Sequence, residues 1–304
     1  MAVERVREER GSVLSRWLHP DGPPRWGRDP DDWNADAVRK AKSRFDAVFG
    51  PRRWLRVSST GWEHLPPSPA FIVSNHSGGT TTLDALGFAW AWVDHFGTER
   101  PLHAMVHDLL LTNSLTGEPL SRLGALRACR ANAKRTLCDL RRDLVVYPGG
   151  DLDTWRPFRK RYRVCFAGRT GYAKIALEAG VPVVPVAHAG AHDSLVVLST
   201  GRRLAKLIGV HRLARAEVWP IHLSLPWGLA IGPLPHLPVP VRFDYRFGPV
   251  VPFPTSYRAG RPPSETLVRE YDDAVREALQ IELDALHEIR RRFVHKWARR
   301  LGFG

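Results

Sequence analysis

Cysteine is scarce in this sequence, and its three thiols, Cys129, Cys138 and Cys165, show no C-x-x-C spacing. Three cysteines cannot form the disulfide framework of a small secreted domain. The lack of a C-x-x-C pair also argues against a structural zinc site. This usage fits a reducing compartment. The opening residues, MAVERVREERG, are charged and lack the apolar segment of a secretory signal, so we expect no such signal.

Long apolar runs and the common catalytic signatures are also missing. The longest stretch without Asp, Glu, Lys or Arg is Val218–Val241, and its six prolines are incompatible with a spanning helix. The sequence contains no Walker A motif, no dinucleotide glycine fingerprint after a strand, no H-E-x-x-H and no G-x-S-x-G. We therefore expect a soluble or peripheral protein, and not a typical nucleotide-binding protein, zinc protease or serine hydrolase.

Acidic residues are outnumbered, with 31 Asp and Glu against 45 Lys and Arg, which gives a net charge of +14. Such a surface attracts nucleic acid, anionic lipid or phosphorylated small molecules, and composition does not choose among them. Hydrophobic residues make up 43% of the 304 residues, which is typical of a globular protein and excludes a fully disordered chain.

Apolar runs alternate with helical patterns through the middle of the chain. This order predicts an α/β domain with a mostly parallel, mixed sheet flanked by helices. We predict three segments: an N-terminal helical appendage over 1–55, a core over 56–260 and an amphipathic basic helix over 261–304. The predicted strands are Ala70–Ser74, Leu144–Pro148, Val183–Ala187, Val218–Ile221 and Val241–Phe247, and the predicted helices are Ala35–Phe49, Asp84–Phe96, Ala131–Arg142, Gly168–Ala179 and Ser264–Leu301. Asp21–Asp32 has the composition of a linker.

The segment Ala70–Asp84 (AFIVSNHSGGTTTLD) carries the first candidate chemistry. A strand delivers Asn75 and His76 into a loop at the carboxyl end of a sheet, where α/β folds place ligands. His76 can act as a general base if a carboxylate orients it, and Gly78 and Gly79 allow close approach to the backbone. Asp84 taken alone is better explained as a helix N-cap.

Three further blocks follow in order. Leu144–Arg161 contains a strand that ends in Pro148-Gly149-Gly150 and is followed by a cationic run. The backbone N–H groups of this turn suit an oxyanion. The alternative interpretation of the segment is a tight turn followed by a solvated basic loop. Gly124–Ala133 places Arg130 before a helix, where a guanidinium suits phosphate, although a surface arginine is the alternative. Val181–Val186 (VPVVPV) reads as a buried strand.

Together the four blocks resemble the glycerolipid acyltransferase superfamily, which includes lysophosphatidic acid and glycerol-3-phosphate acyltransferases. The resemblance covers about residues 56–255. It departs from the common His-x4-Asp pattern, because Thr81 stands five residues after His76 and the first acid is Asp84, and from the common third block, because Gly149 stands where Glu is usual. Both departures, together with Gly168–Gly171 (GRTG), are similar to the diacylglycerol-acyltransferase-like branch with N-H-S-G-G and Y-P-G-G-D.

The resemblance implies an O-acyltransferase of phospholipid biosynthesis that moves a fatty acyl chain from acyl-CoA, or from acyl carrier protein, to a glycerolipid hydroxyl such as that of lysophosphatidate. It implies His76 as general base, Asp84 as its orienting carboxylate, and a Ser77–Leu83 loop that curls to bring them together. Gly149 and Gly150 would stabilise the oxyanion, and Arg130, Asn75, Gly78 and Gly79 would contact substrate.

The implied partners are the acyl donor, the lipid acceptor and a membrane surface. The resemblance implies no metal and no cofactor, no specific nucleic acid, and a cytoplasmic protein peripheral at the inner face of the membrane. The alternatives are a non-catalytic basic module that binds anionic lipid or nucleic acid, and an inactive acyltransferase fold.

Three features keep two interpretations each. In one interpretation, Val218–Val241 lines an acyl tunnel or touches a bilayer, with Trp219, Trp227 and Leu229 exposed. In the other, slightly favoured interpretation, the stretch packs internally. His188 and His192 resemble a metal pair but are better explained as structural or surface residues, because Gly190 separates them. The basic end of the last helix, 290–300, is either a lipid anchor or a solvated helix terminus.

Overall fold

The chain folds around a seven-stranded central sheet, and a computed structural model describes its residues 26–209 and 217–300. The strands are β1 (Leu55–Thr60), β2 (Phe71–Ser74), β3 (Leu102–Val106), β4 (Ala125–Arg127), β5 (Asp143–Val146), β6 (Val183–Ala189), β7 (Val196–Ser199), β8 (Ile221–Ser224), β9 (Gly228–Ile231) and β10 (Val241–Phe247). The helices are α1 (Ala35–Phe45), α2 (Leu83–Phe96), α3 (Ser114–Arg122), α4 (Arg130–Lys134), α5 (Gly150–Thr154), α6 (Gly171–Ala179), α7 (Arg202–Leu207) and α8 (Glu265–Arg300).

The strand order in the central sheet is β1-β10-β6-β2-β5-β3-β4. Neighbouring strands from β6 through β4 run parallel, β10 is antiparallel to β6, and β1 is parallel to β10. The predicted mostly parallel, mixed α/β sheet is therefore confirmed. Because β2, β5 and β6 are adjacent and parallel, their carboxyl ends meet at one edge of the sheet.

Buried β-branched and aromatic residues explain why the central strands form. Phe71, Ile72 and Val73 of β2 are fully buried, as expected for a parallel strand covered on both faces. The start of the strand is fixed by the buried Asp143 carboxylate, which accepts hydrogen bonds from the Ala70 N–H (2.7 Å) and from Arg100 (2.6 Å). A charge at this position is tolerated because it is paired.

Helices cover the two faces of the sheet with separate apolar clusters. On one face α8 buries Val268, Tyr271, Val275, Leu279 and Leu283 next to α6, which confirms the apolar stripe expected for this helix. On the other face α2 packs Phe88 and Trp92 against β10. Phe49, within the predicted N-terminal appendage, joins that second cluster.

Several local predictions need correction. The helix expected over Ala131–Arg142 changes type and ends earlier: α4 ends at Lys134, and a π-helix continues it over Arg135–Asp139. The strand expected over Val218–Ile221 begins at Ile221, because Val218–Pro220 precedes it as irregular backbone. The described part of the predicted linker is anchored, since Pro30 is buried and its carbonyl lies 3.0 Å from His103 Nε2; residues 21–25 lie outside the described residues.

A second, antiparallel sheet consists of β7, β8 and β9 in that order. It is inserted between β6 and β10 and lies beside the carboxyl edge of the central sheet, because the Thr80 hydroxyl donates to the carbonyl of Pro233, just after β9 (2.7 Å). Within residues 26–209 and 217–300, no helix has the length and hydropathy required to cross a membrane.

Candidate active site

The loop after β2 presents His76 at the carboxyl edge of the central sheet. A 3₁₀ turn over Gly79–Thr81 reverses the chain before α2 begins at Leu83. Gly78 has a φ of 94°, and a Cβ there would lie 2.8 Å from Ala191 Cβ, so only glycine fits without strain. The loop therefore curls as predicted, and it returns the first turn of α2 to His76.

His76 and Asp84 form a direct pair across this loop. His76 Nδ1 lies 2.6 Å from Asp84 Oδ2, and the same oxygen accepts the Ser77 N–H at 2.7 Å. The Asp84 side chain is fully buried, whereas the His76 side chain is 13% exposed. The N-cap explanation for Asp84 is wrong, because Thr82 occupies the N-cap and the Asp84 side chain turns inward to the histidine.

The electrostatics of the pair favour an ionised carboxylate. Burial raises the pKa of Asp84, but the charge of His76 and its hydrogen bond outweigh burial, so the pKa lies below its usual value. A carboxylate only accepts hydrogen bonds, so Nδ1 of His76 is the donor, and in the neutral ring the lone pair is on Nε2. Burial raises the pKa of the neighbouring Tyr147, whose ring centroid lies 4.7 Å from that of His76, well above its usual value. In its neutral form the His76 ring therefore has the tautomer required of a general base.

A buried ion pair supports the backbone of His76. The Asp153 carboxylate accepts the His76 N–H at 2.5 Å and pairs with Arg156, and both side chains are almost fully buried. Burial lowers the pKa of Arg156 to about 10. Sequence reasoning missed both residues, because Arg156 stands in the cationic run explained as a solvated loop. That explanation is wrong for Arg156 and correct for Arg159, which is exposed.

Asn75 joins the loop after β2 to β6. Its side-chain amide donates to the His188 carbonyl (2.9 Å) and accepts the His188 N–H (2.8 Å). These bonds fix the position of the residue before His76. Asn75 was expected to contact substrate, and the structure gives it a bridging role in the scaffold.

His188 and His192 are fully buried, and neither ring bonds to a carboxylate within residues 26–209 and 217–300. His188 Nε2 accepts the Ala191 N–H at 3.3 Å, and His192 Nε2 donates to the Arg156 carbonyl at 2.8 Å. Burial lowers the pKa of His188 to about 4 and that of His192 to about 3. Both histidines are therefore neutral structural groups, which agrees with the structural alternative of the sequence analysis.

The Pro-Gly-Gly turn after β5 lies next to the same edge. The Gly150 N–H donates to the Tyr147 carbonyl (3.1 Å), so this N–H closes the turn. A Cβ on Gly149 would lie 2.3 Å from both Asp153 Cβ and the Cys165 carbonyl oxygen, so the larger residue usual in this block has no room. Arg169 donates to the Gly149 carbonyl at 2.8 Å and holds the turn in place.

The family model named Acyltransferase matches residues 56–189, the segment that contains His76, Asp84, Asp153 and Arg156. Residues 56–189 are therefore similar to this family. An uncharacterized protein of Mycobacterium leprae is 29% identical over 232 residues, which cover 75% of this chain and 59% of that protein. An uncharacterized protein of Mycobacterium bovis is 28% identical over 231 residues, covering 75% of this chain and 61% of that protein.

The chain thus spans about three fifths of the length of these curated relatives. Among solved structures, the crystal structure of the 1-acyl-sn-glycerophosphate (LPA) acyltransferase PlsC from Thermotoga maritima is similar with a TM-score of 0.48 and 16% identity. That match covers 83% of this chain and 79% of the other.

Arg130 lies away from the pair, within the segment that the family model matches. It begins α4, which follows the edge strand β4, and its half-exposed guanidinium pairs with Glu178 on α6. Three of the four predicted blocks, those of β2, β5 and β6, meet around His76, whereas the block of Arg130 follows a strand three places from β2. A substrate that contacts both His76 and Arg130 would have to extend along the carboxyl edge.

Proposed function

We propose that this chain is an O-acyltransferase that moves a fatty acyl chain from acyl-CoA, or from acyl carrier protein, to a hydroxyl of a glycerolipid such as lysophosphatidate. The observation that carries the proposal is the 2.6 Å contact between His76 Nδ1 and the buried Asp84 carboxylate, inside the segment that matches the acyltransferase family model. The pair supplies a base at the edge where an α/β sheet binds ligands.

In the first step, the oxygen of the acceptor hydroxyl attacks the thioester carbonyl while His76 Nε2 accepts the proton of that hydroxyl. The imidazolium that forms is stabilised by the Asp84 charge 2.6 Å away, in a site where burial strengthens the interaction. The negative charge moves to the former carbonyl oxygen. Of the two glycines expected to stabilise it, Gly149 is the better candidate, because the Gly150 N–H is engaged with Tyr147.

In the second step, the tetrahedral intermediate collapses and the carbon–sulfur bond breaks. The thiolate takes the proton from His76 and leaves as a thiol, and the acyl chain remains as an ester on the acceptor. His76 returns to its starting state, so atoms and charge balance over the cycle. The chemistry requires correct orientation of His76, which its bond to Asp84 and the Asp153 contact to its backbone provide.

Arg130 and the membrane surface complete the proposal. Arg130 is the proposed contact for a phosphate of the acceptor or of CoA, and that role requires the guanidinium to exchange Glu178 for the phosphate. The acceptor is a lipid, so we propose that the protein works at the cytoplasmic, inner face of a membrane as a peripheral protein. Its excess of 14 positive charges favours an anionic surface.

The test is thiol release from long-chain acyl-CoA or acyl carrier protein by the purified chain. Lysophosphatidate, monoacylglycerol and diacylglycerol are compared as acceptors for wild type, His76→Ala and His287→Ala. His287→Ala is the control, because His287 lies on α8, where its ring stacks on that of Tyr162. We expect acceptor-dependent release that His76→Ala abolishes and His287→Ala retains. Folded wild-type protein that releases no thiol with any donor and acceptor would favour a binding module or an inactive fold.

A further inference from the structure

The small sheet of β7, β8 and β9 is apolar on both of its faces. Strand residues alternate between faces, and one face buries Val197, His222 and Ala230 against the domain. The opposite face and its connecting loops are exposed and also apolar. We call these residues the outer face: Leu198, Leu223, Leu225, Trp227, Leu229, Ile231, Leu234 and Leu237.

The exposure of the outer face is large for apolar side chains. Leu229 is 63% exposed, Ile231 57% and Trp227 50%, and most of the set belongs to 218–241, which has no Asp, Glu, Lys or Arg. A contiguous apolar patch of this kind marks an interaction site. Internal packing, which the sequence slightly favoured for this stretch, is therefore wrong for Trp227 and Leu229, while Trp219 is half-buried.

Cationic side chains and a tryptophan belong to the segments next to the outer face. Along the chain, α7 begins three residues after β7, and its Arg203 and Lys206 are exposed. Arg52 and Arg53 are exposed next to Trp54, whose indole N–H donates to the Pro238 carbonyl (2.8 Å), one residue after Leu237. A charge-free apolar centre with a rim of Arg, Lys and Trp is complementary to an anionic bilayer surface.

The inner face of the same sheet contacts the candidate active site. His222 of β8 lies against Trp155, with ring centroids 4.9 Å apart, and Trp155 follows the α5 helix that carries Asp153. The Thr80 hydroxyl, in the His76 loop, donates to the Pro233 carbonyl at 2.7 Å. The outer face is thus separated from the His76 loop by one layer of protein.

From this arrangement we infer that the outer face is the membrane-docking surface, and that it seats the active site on an anionic bilayer from which the lipid acceptor enters. The inference rests on the proposed function for the identity of the acceptor. Docking itself depends on the outer face and its cationic rim alone. Binding to vesicles and acyl transfer are therefore separate measurements with separate outcomes.

The first experiment is co-sedimentation of the full chain with phosphatidylcholine vesicles, with and without phosphatidylglycerol. The test variant is Leu223→Ser/Leu229→Ser, which removes a cross-strand pair on the outer face. The control is Leu115→Ser/Ile281→Ser, whose side chains are 87% and 60% exposed on α3 and α8. We expect anionic vesicles to bind wild type and control, and the partition coefficient of the test variant to fall by more than about tenfold.

Thermal unfolding checks that the variants are folded. If the double test variant is unfolded, Ile231→Thr, which keeps a β-branched residue in the strand, replaces it. Equal binding by test and control variants would overturn the inference. A second copy of the chain is the competing occupant: light scattering that shows a wild-type dimer and a monomeric test variant, with vesicle binding unchanged, would also overturn it.

Acyl transfer distinguishes this inference from the proposed function. If both hold, the test variant acylates a short-chain, water-soluble acceptor like wild type and is slow only on acceptor in vesicles. If the test variant loses vesicle binding and neither wild type nor either variant transfers an acyl chain, docking is supported and the proposed function is contradicted. Transfer to vesicle acceptor that is equal in test and control variants supports the function and contradicts docking.

Discussion

Two neighbouring loops at the carboxyl edge of the sheet each present histidine, but in opposite environments. The loop after β2 holds His76 partly exposed and bonded to a carboxylate, whereas the loop after β6 holds His192 fully buried and bonded to a backbone carbonyl. Burial lowers the pKa of His192 to about 3, so it stays neutral. Position at the edge of a sheet is therefore not enough for base catalysis; a carboxylate partner and access are also required.

The largest expected effect comes from removing the carboxylate that distinguishes the two loops. Asp84→Asn should reduce kcat by roughly 10²–10⁴, because the amide neither stabilises the imidazolium nor fixes the tautomer of His76. Steady-state thiol release measures the loss. The folded state should persist, since Asn keeps the volume of the side chain; an unchanged kcat in a folded variant would remove Asp84 from the mechanism.

A second prediction concerns the ion pair beneath the loop of His76. Arg156→Met should destabilise the fold by about 3–5 kcal/mol, because it leaves the Asp153 charge buried and unpaired. Urea unfolding measures this change. Arg159→Met is the matched control on an exposed side chain and should change stability by less than about 0.5 kcal/mol. Equal effects would show that the pair does not support the site.

How much the sequence predicted depends on how local each signal is. The buried apolar runs of β2, β5 and β6 and the stripe on α8 were predicted, because each is visible within its own segment. The His76–Asp84 pairing was also predicted, through the resemblance and the required curl of the loop. By contrast, β3 was missed because His103 interrupts its apolar pattern, and β4 was missed because it has only three residues.

The support of the site could not be predicted in the same way. Asp153 and Arg156 stand in a polar segment, and they are buried where Leu152 and Trp155 pack with residues of a distant segment, Leu195, Val197 and Val218. Asp84 near the start of a helix has the composition of a cap, and its inward direction depends on the left-handed backbone of Thr82, with a φ of 45°. Contacts between distant segments decide these features, and local sequence does not encode them.

The buried histidine predicts a pH dependence of stability. The pKa of His192 is about 3 in the folded protein and ~6.5 in an unfolded chain. The unfolded state therefore binds the proton more readily, so stability from the neutral ring is complete above pH ~6.5 and is lost as pH falls toward 3. His192→Gln should shrink the loss between pH 7 and pH 5 by about 2 kcal/mol, measured by urea unfolding at both pH values. Equal losses in variant and wild type would contradict this assignment.

The smallest expected effect is that of Arg130, far along the edge from both histidines. Arg130→Ala removes an ion pair with Glu178, whose side chain is 8% exposed and keeps Lys134 as a second cation at 3.7 Å. The cost in stability should therefore be about 1 kcal/mol. If Arg130 binds the phosphate of the acceptor, KM for lysophosphatidate should rise by about tenfold while KM for monoacylglycerol and kcat stay unchanged. Arg135→Ala, which removes exposed ion pairs with Asp29 and Asp31, is the matched control. A KM increase for both acceptors would contradict phosphate recognition.

The most direct test of the central claim is the identity of the product formed by wild type and His76→Ala. Purified protein is incubated with acyl-CoA and lysophosphatidate in vesicles, and the lipids are analysed by mass spectrometry. We predict a new ester on the acceptor hydroxyl with wild type, and less than about one hundredth as much with His76→Ala at equal thermal stability. Equal amounts of ester from both proteins would contradict a mechanism based on the His76–Asp84 pair.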